Sequence, residues 1–397
     1  MTTAERIGSN IQAIMKKNAV TSVQLAQHLS ISRQTLMNYL RGMSTPDCIK
    51  LIEIADFFQM PVQDILYGND HSQTSVLFRS ALNYSDALSS LDTFSEYIDI
   101  YKYLTTIAGD TIHFFPEYYD FPIQAGSSQT LTKELKRELE LLAKEQRQKI
   151  DAGNTDPLHM IALLEKRGIN ICFFDFQTDE TFGLSAVDGS YGCFIFVNSN
   201  KAITLERMIF TVFHEYAHLL LHRSYYKKMS NDKFEDRAKF LDKMANYFAS
   251  CMLVPRDYIS AHEAELQNIT TFDVLISLKQ ELQVSLSSLV LALQNYGYWG
   301  RTIVNQYFQT LRELDFEKQE LYSLSDSEEI QNYFNSIKNV KLKRMLKTAY
   351  ANNRINLDLI CFLLSCSPME AIQEIQTWKP VNNTNKILNL INDELFH

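Results

Sequence analysis

The sequence predicts a mostly α protein carrying one small α+β domain. Glycine and proline are scarce, 12 and 8 in 397 residues, so few positions break helices. Apolar residues recur at helical spacing through most of the chain. Strand signals are confined to two short aromatic and β-branched runs, Ile169–Phe174 and Cys193–Val197, with Gly183–Ala186 a candidate third.

Composition narrows the function classes. A hydrophobic content of 46% with 21% charged residues describes a globular chain with a substantial core and excludes a disordered or fibrous one. The net charge of -9 excludes polyanion binding by bulk electrostatics, so nucleic acid would have to meet a local surface. The six cysteines form no CxxC pair and sit mostly in apolar surroundings, which predicts free thiols. The N-terminus has no long apolar run, and no stretch approaches the roughly 20 apolar residues of a membrane span. The expected compartment is the cytoplasm, with no membrane partner.

Four zones follow along the chain. Residues 1–70 carry short helices and read as a five-helix-type domain, closed by a polar linker at Gly68–Gln73. Residues 71–155 are a helical connecting region. It holds an aromatic stretch, His113–Pro122, read as core ahead of a ligand pocket, and a charged helix from Leu131 to Ile150 read as a solvated face. Residues 156–298 contain the strands, then helices over Leu205–His222 and Phe234–Leu253. Residues 299–397 are a helical module. Within it Asn356–Trp378 has two short helices around Ser365–Pro368, without a basic face, so protein contact or sensing is its expected role.

The first motif lies at Thr21–Gly42. Thr21 or Ser22 can cap a helix with apolar positions Val23, Leu25, Ala26 and Leu29. Ser30 and Ile31 make a tight connection, and Ser32 caps a second helix that buries Leu36, Tyr39 and Leu40. Two short helices joined this way form a helix-turn-helix. The outward side of the second helix carries Arg33, Gln34, Thr35 and Asn38, side chains able to read base edges, and Gln24 can bind a phosphate at the start of the first. Residues 1–68 hold six basic and five acidic side chains, a net +1 within a chain of -9. This stretch resembles the DNA-binding domain of XRE-family (Cro/cI-type) regulators over about residues 4–68, including Gln24–Gln27, Arg41-Gly42, Pro46 and Ile65–Gly68. The resemblance implies double-stranded DNA as partner and a homodimer as the usual assembly. A helical bundle that binds protein is the alternative.

The second motif is His214-Glu215-Tyr216-Ala217-His218, an HExxH. Histidines at i and i+4 project from one helix face, the spacing at which two imidazoles hold one Zn²⁺. Glu215 beside them is placed to take a proton from a water that such a metal activates. Ile209, Val212, Phe213, Tyr216, Leu219 and Leu220 supply an apolar stripe that anchors the helix. A third ligand is needed, and the candidates are His222, Glu235, Asp236 and Asp242. Asp242 is preferred, on a helix with small residues that can pack closely. Asn246, one turn on, is placed to orient a histidine through its outer nitrogen. His222 reads as a helix-end cation or a supporting group behind the ligands.

The span 156–298 resembles the ImmA/IrrE metallopeptidases, through HEYAHLLLH at 214–222, ANYFASCMLVP at 245–255 and Val284-Ser285 before an apolar helix. The resemblance implies a zincin-like fold, in which one strand, expected at Cys193–Val197, lines the cleft and pairs with an extended peptide. The family usually has glutamate where this chain has Asp242, which keeps the carboxylate one methylene shorter. The implied function is a DNA-binding transcriptional regulator whose zinc endopeptidase domain cleaves a repressor or other regulatory protein, of the kind that serves mobile elements or stress responses. The alternatives are a non-catalytic transcription factor whose peptidase-like domain senses a metal, effector or protein partner, and an antitoxin-like module that holds a protein.

Overall fold

The structure is a computed structural model and describes residues 3–18, 20–46, 48–58, 65, 74–77, 84–110, 116–119, 130–153, 156–189, 191–223, 234–267, 272–313 and 323–378. The linker at Gly68–Gln73 and most of His113–Pro122 lie outside these. The described residues are mostly helical, with a small sheet. They divide into two compact units, residues 1–75 and 76–397; a short strand, β1 (Thr74–Leu77), spans the division. Among the described residues no single helix is long and apolar enough to cross a membrane.

The first unit contains α1 (Thr3–Lys17), α2 (Ser22–His28), α3 (Arg33–Leu40) and α4 (Cys48–Phe58) around Ile7, Ile11, Leu25, Leu29, Leu36 and Ile54. Thr21 caps α2 in a reciprocal box: its hydroxyl accepts from the Gln24 N–H, while Gln24 Oε1 accepts from the Thr21 N–H at 2.8 Å. Ser32 caps α3 through the Thr35 N–H at 3.0 Å. Gly8 lets α1 lie directly on α3, because a Cβ there would sit 2.3 Å from the Tyr39 carbonyl oxygen. Val23, expected inside, is 55% exposed. With Leu25, Ala26 and Leu29 inward, a rotation of about 100° per residue turns position 23 outward.

In the second unit, β2 (Asn170–Phe174) pairs in parallel with β4 (Gly192–Asn198), and β3 (Gly183–Asp188) returns antiparallel on the other side of β4. Both faces of these strands are covered, which is why they read as continuous apolar runs with little alternation. One face, through Ile171, Phe173, Ile195 and Val197, packs on α8 (Leu205–Leu221). The other, through Phe174, Leu184, Phe194 and Phe196, packs on α5 (Tyr84–Ala108), α16 (Val340–Ala351) and α17 (Leu357–Leu364). The free edge of β2 is closed by one side chain: Asn339 accepts from the Phe173 N–H at 2.8 Å and donates to the Phe173 carbonyl at 3.0 Å.

Helix α9 (Phe234–Leu253) packs on α8 through Ala245, Phe248 and Ala249, and α6 (Lys133–Lys149) packs on α9. The charged sequence of α6 suggested a solvated face alone. Leu139, Leu142, Ala143 and Gln146 form a stripe one turn apart that is fully inside. The described part of the aromatic stretch, at Tyr119, also packs on this core and donates its N–H to the Leu220 carbonyl at 2.9 Å.

At Gly183, β3 lies directly against α8. A Cβ on Gly183 would meet Thr211 Cγ2 at 2.3 Å, the Phe196 carbonyl oxygen at 2.8 Å and Glu215 Cγ at 3.3 Å. Gly183→Ala therefore has to push strand from helix, and a loss of about 1–3 kcal/mol is expected in denaturant unfolding. An unchanged midpoint would show that the contact is slack.

Candidate functional site

Helix α8 has almost no exposed face: buried residues include His214, Glu215 and His218, and the C-capping His222 is 0% exposed. Its start is held by Thr204, whose hydroxyl accepts from the Arg207 N–H, and by Glu206. Buried Glu206 accepts from the Leu324 N–H at 2.6 Å and from the Ser323 hydroxyl at 3.2 Å, and pairs with fully buried Lys279 at 3.5 Å. Tyr216 donates to Gln146 Oε1 on α6 at 2.8 Å. These bonds fix the helix axially, so the polar side chains on its middle turns have defined positions.

Those side chains converge. His214 Nε2 and His218 Nε2 are 3.0 Å apart. Asp242 Oδ1, from α9, lies 3.4 Å from His218 Nε2 and 3.9 Å from His214 Nε2. Among the described residues these three form the one His/Cys/Asp/Glu group able to surround an ion, with donor atoms all within 4.8 Å of one another. Two imidazoles and one carboxylate make a donor set suited to a divalent metal with an open coordination position. Asn246, one turn past Asp242, places Oδ1 2.8 Å from His214 Nδ1. An amide oxygen can only accept, so His214 carries its proton on Nδ1 and leaves the Nε2 lone pair facing His218 and Asp242. The residues present therefore fit a metal ion in donor type, convergence and, for His214, tautomer.

Of the other third-ligand candidates, His222 is set behind His218, with Nδ1 2.8 Å from His218 Nδ1. Burial first, then the neighbouring histidines, hold its pKa well below the ordinary imidazole value, which corrects the expectation of a helix-end cation and leaves the supporting role. The side chains of Glu235 and Asp236 lie outside the described residues.

Glu215 points from α8 toward the sheet, and Ser185 on β3 donates its hydroxyl to Glu215 Oε2 at 3.0 Å. Sequence reasoning passed over Ser185 and Gly183. The available signal was one hydroxyl and one missing side chain in the Gly183–Ala186 run, beside the apolar Leu184 and Ala186. The expectation that Cys193–Val197 lines the cleft is corrected here. That strand, β4, is bonded on both sides, to β2 and to β3, so it has no edge left for a peptide. The strand against Glu215 is β3.

In the first unit, Arg33, Gln34 and Gln24 are exposed, and Thr35 and Asn38 are half-buried. Gln34 donates to Asn38 Oδ1 at 3.3 Å along α3, and Thr35 bonds the capping Ser32 hydroxyl at 2.8 Å. Gln24 spends its amide oxygen on the α2 cap, which leaves its NH₂ as the outward group.

A buried HExxH helix, backed by a small sheet and joined by an acid from the next helix, defines a peptidase-like domain. Residues 164–294, a third of the chain, match the Peptidase_M78 family model, described as an IrrE N-terminal-like domain. The matched span runs from the end of α7 (Pro157–Lys166) to the last turns of α13 (Leu286–Tyr296) and contains all of β2–β4, α8 and α9. No curated protein and no solved structure matches the chain.

The geometry predicts a ranking of zinc affinities. Asp242→Ala should bind less than one zinc per chain by elemental analysis, and Asn246→Ala should bind zinc about 10- to 100-fold more weakly in a chelator competition. Full stoichiometry in Asp242→Ala would shift the third ligand to Glu235 or Asp236.

Proposed function

We propose that the second unit is a zinc-dependent endopeptidase and that the first unit reads double-stranded DNA, so that the chain is a transcriptional regulator able to cleave a repressor or another regulatory protein. The observation that carries the peptidase half is the convergence of His214, His218 and Asp242, with Glu215 next to His214 on the same buried helix. The family match over 164–294 supports the same reading.

His214, His218 and Asp242 would hold the zinc. Bound there, zinc would polarise a scissile carbonyl and acidify a water at its open position. Glu215 is the general base: it takes the proton of the attacking water and later passes it to the leaving amine. Ser185 holds the carboxylate in place by donating its hydroxyl to Oε2 before the substrate arrives.

The DNA half rests on α3. Its cap, Ser32, starts the helix so that Arg33 and Gln34 occupy the first exposed turn, the end that enters a major groove in this kind of reader. Arg33 offers a fork for guanine, and Gln34 or Asn38 an amide for adenine. Gln24 at the start of α2 offers a donor to phosphate.

Two experiments test the two halves. Glu215→Gln should keep one zinc per chain while the appearance of cleaved regulator fragments in expressing cells slows by about 10²–10⁴-fold. Identical fragment patterns in wild type and variant would leave a non-catalytic regulator. Arg33→Ala with Gln34→Ala should abolish sequence preference in a selection from random duplexes, while weak, salt-sensitive binding persists. An unaltered preference would remove α3 as the reader.

A further inference from the structure

His222 stands outside the donor cluster yet is tied to it more closely than any packing role requires. It is fully buried at the end of α8, one turn beyond His218. Its backbone N–H donates to the His218 carbonyl at 3.1 Å, and its Nδ1 lies 2.8 Å from His218 Nδ1. Its other ring nitrogen, Nε2, meets no hydrogen-bond partner among the described residues.

Two imidazole Nδ1 atoms 2.8 Å apart form a hydrogen bond in which one ring donates and the other accepts, and the hydrogen can sit on either ring. If it sits on His222, then His218 carries its own proton on Nε2, the atom that faces His214 and Asp242, and that atom has no lone pair to give. If it sits on His218, the Nε2 lone pair faces the cluster and His222 acts as acceptor. In either arrangement His222 Nε2 is buried without a partner among the described residues, at a cost of about 1–3 kcal/mol. A phenyl ring of the same outline would avoid that cost. A purely structural residue here gains nothing from its second nitrogen.

We infer that His222 is a positioning residue for the metal site: its Nδ1 accepts the Nδ1–H of His218 and so fixes the His218 ring and tautomer with Nε2 turned toward His214 and Asp242. His214 is set by the Asn246 amide and His218 by the His222 imidazole, so each ligand has its own acceptor. The inference rests on the zinc reading above and deepens it.

The test uses the full chain, zinc alone as probe, and two variants. Asparagine carries an oxygen at the same branch position as histidine Nδ1, so His222→Asn keeps an acceptor, whereas His222→Phe keeps the ring and loses it. In chelator competition, His222→Phe should bind zinc about 10- to 100-fold more weakly than wild type, and His222→Asn should recover most of that loss. Thermal unfolding of the metal-free Phe variant should be unchanged or raised, which a merely structural histidine would not show together with weakened zinc. In the zinc-loaded wild type, ¹⁵N imidazole spectra should place the His218 proton on Nδ1 and the His222 proton on Nε2, a readout that needs no variant to fold. Wild-type zinc affinity in His222→Phe, or a proton on His222 Nδ1, would overturn the inference while leaving the zinc site intact. A wild-type chain that takes up no zinc would overturn both.

Discussion

The structure depends on one constraint: α8 is buried along most of its length, with Arg207 as its exposed residue, and the helix together with its His222 cap buries five carboxyl or imidazole side chains. Glu206, His214, Glu215, His218 and His222 are each 2% exposed or less. A buried polar group without a partner costs about 1–3 kcal/mol, more if charged, so such a helix is stable only where the surrounding elements supply partners. They do so from several directions. Ser323 and Leu324 serve Glu206, α9 serves His214 and His218, and β3 serves Glu215. The arrangement of the unit around α8 follows from these obligations as much as from its apolar core.

Stability and position are separate here. The Glu206–Lys279 pair is fully buried and 3.5 Å apart, and a buried pair gains little net stability because desolvating each ion costs several kcal/mol. Its effect is to fix the first turn of α8 against α12 (Phe272–Leu282) and the turn at 323–324. Small residues have the complementary role. Gly183 brings β3 onto the helix beside Glu215, and Ala217, Ala245 and Ala249, all buried, accompany the close packing of α8 and α9 that carries Asp242 inward. The aspartate carboxylate, one methylene shorter than glutamate, comes within 3.4 Å of His218 Nε2.

Much of this was legible in the sequence, for identifiable reasons. The i, i+4 spacing of His214 and His218 needs only helix geometry, and the span Phe234–Leu253 is a helix with the bounds its periodicity suggests. Asp242 and Asn246 were reachable because both lie on one face of that helix. What was not legible was pairing between distant elements. Nothing along the chain says that β4 is central and β3 lies against the helix, since both are short apolar runs. The role of Ser185 depends on that topology. Val23 was misplaced because a short helix offers few turns from which to set its phase. The inner stripe of α6 was masked by the density of its charges. His222 could be set apart from the ligands by helical rotation, but its bond to His218 could not be read from spacing.

The central claim is that α8 and α9 together present two imidazole nitrogens and one carboxylate oxygen to a single zinc ion. Zinc K-edge absorption on the intact chain, purified without chelators, tests it most directly. The account predicts bound zinc with two histidine ligands and otherwise only oxygen. An empty protein, or an absorption edge showing thiolate sulfur from one of the cysteines, would contradict it.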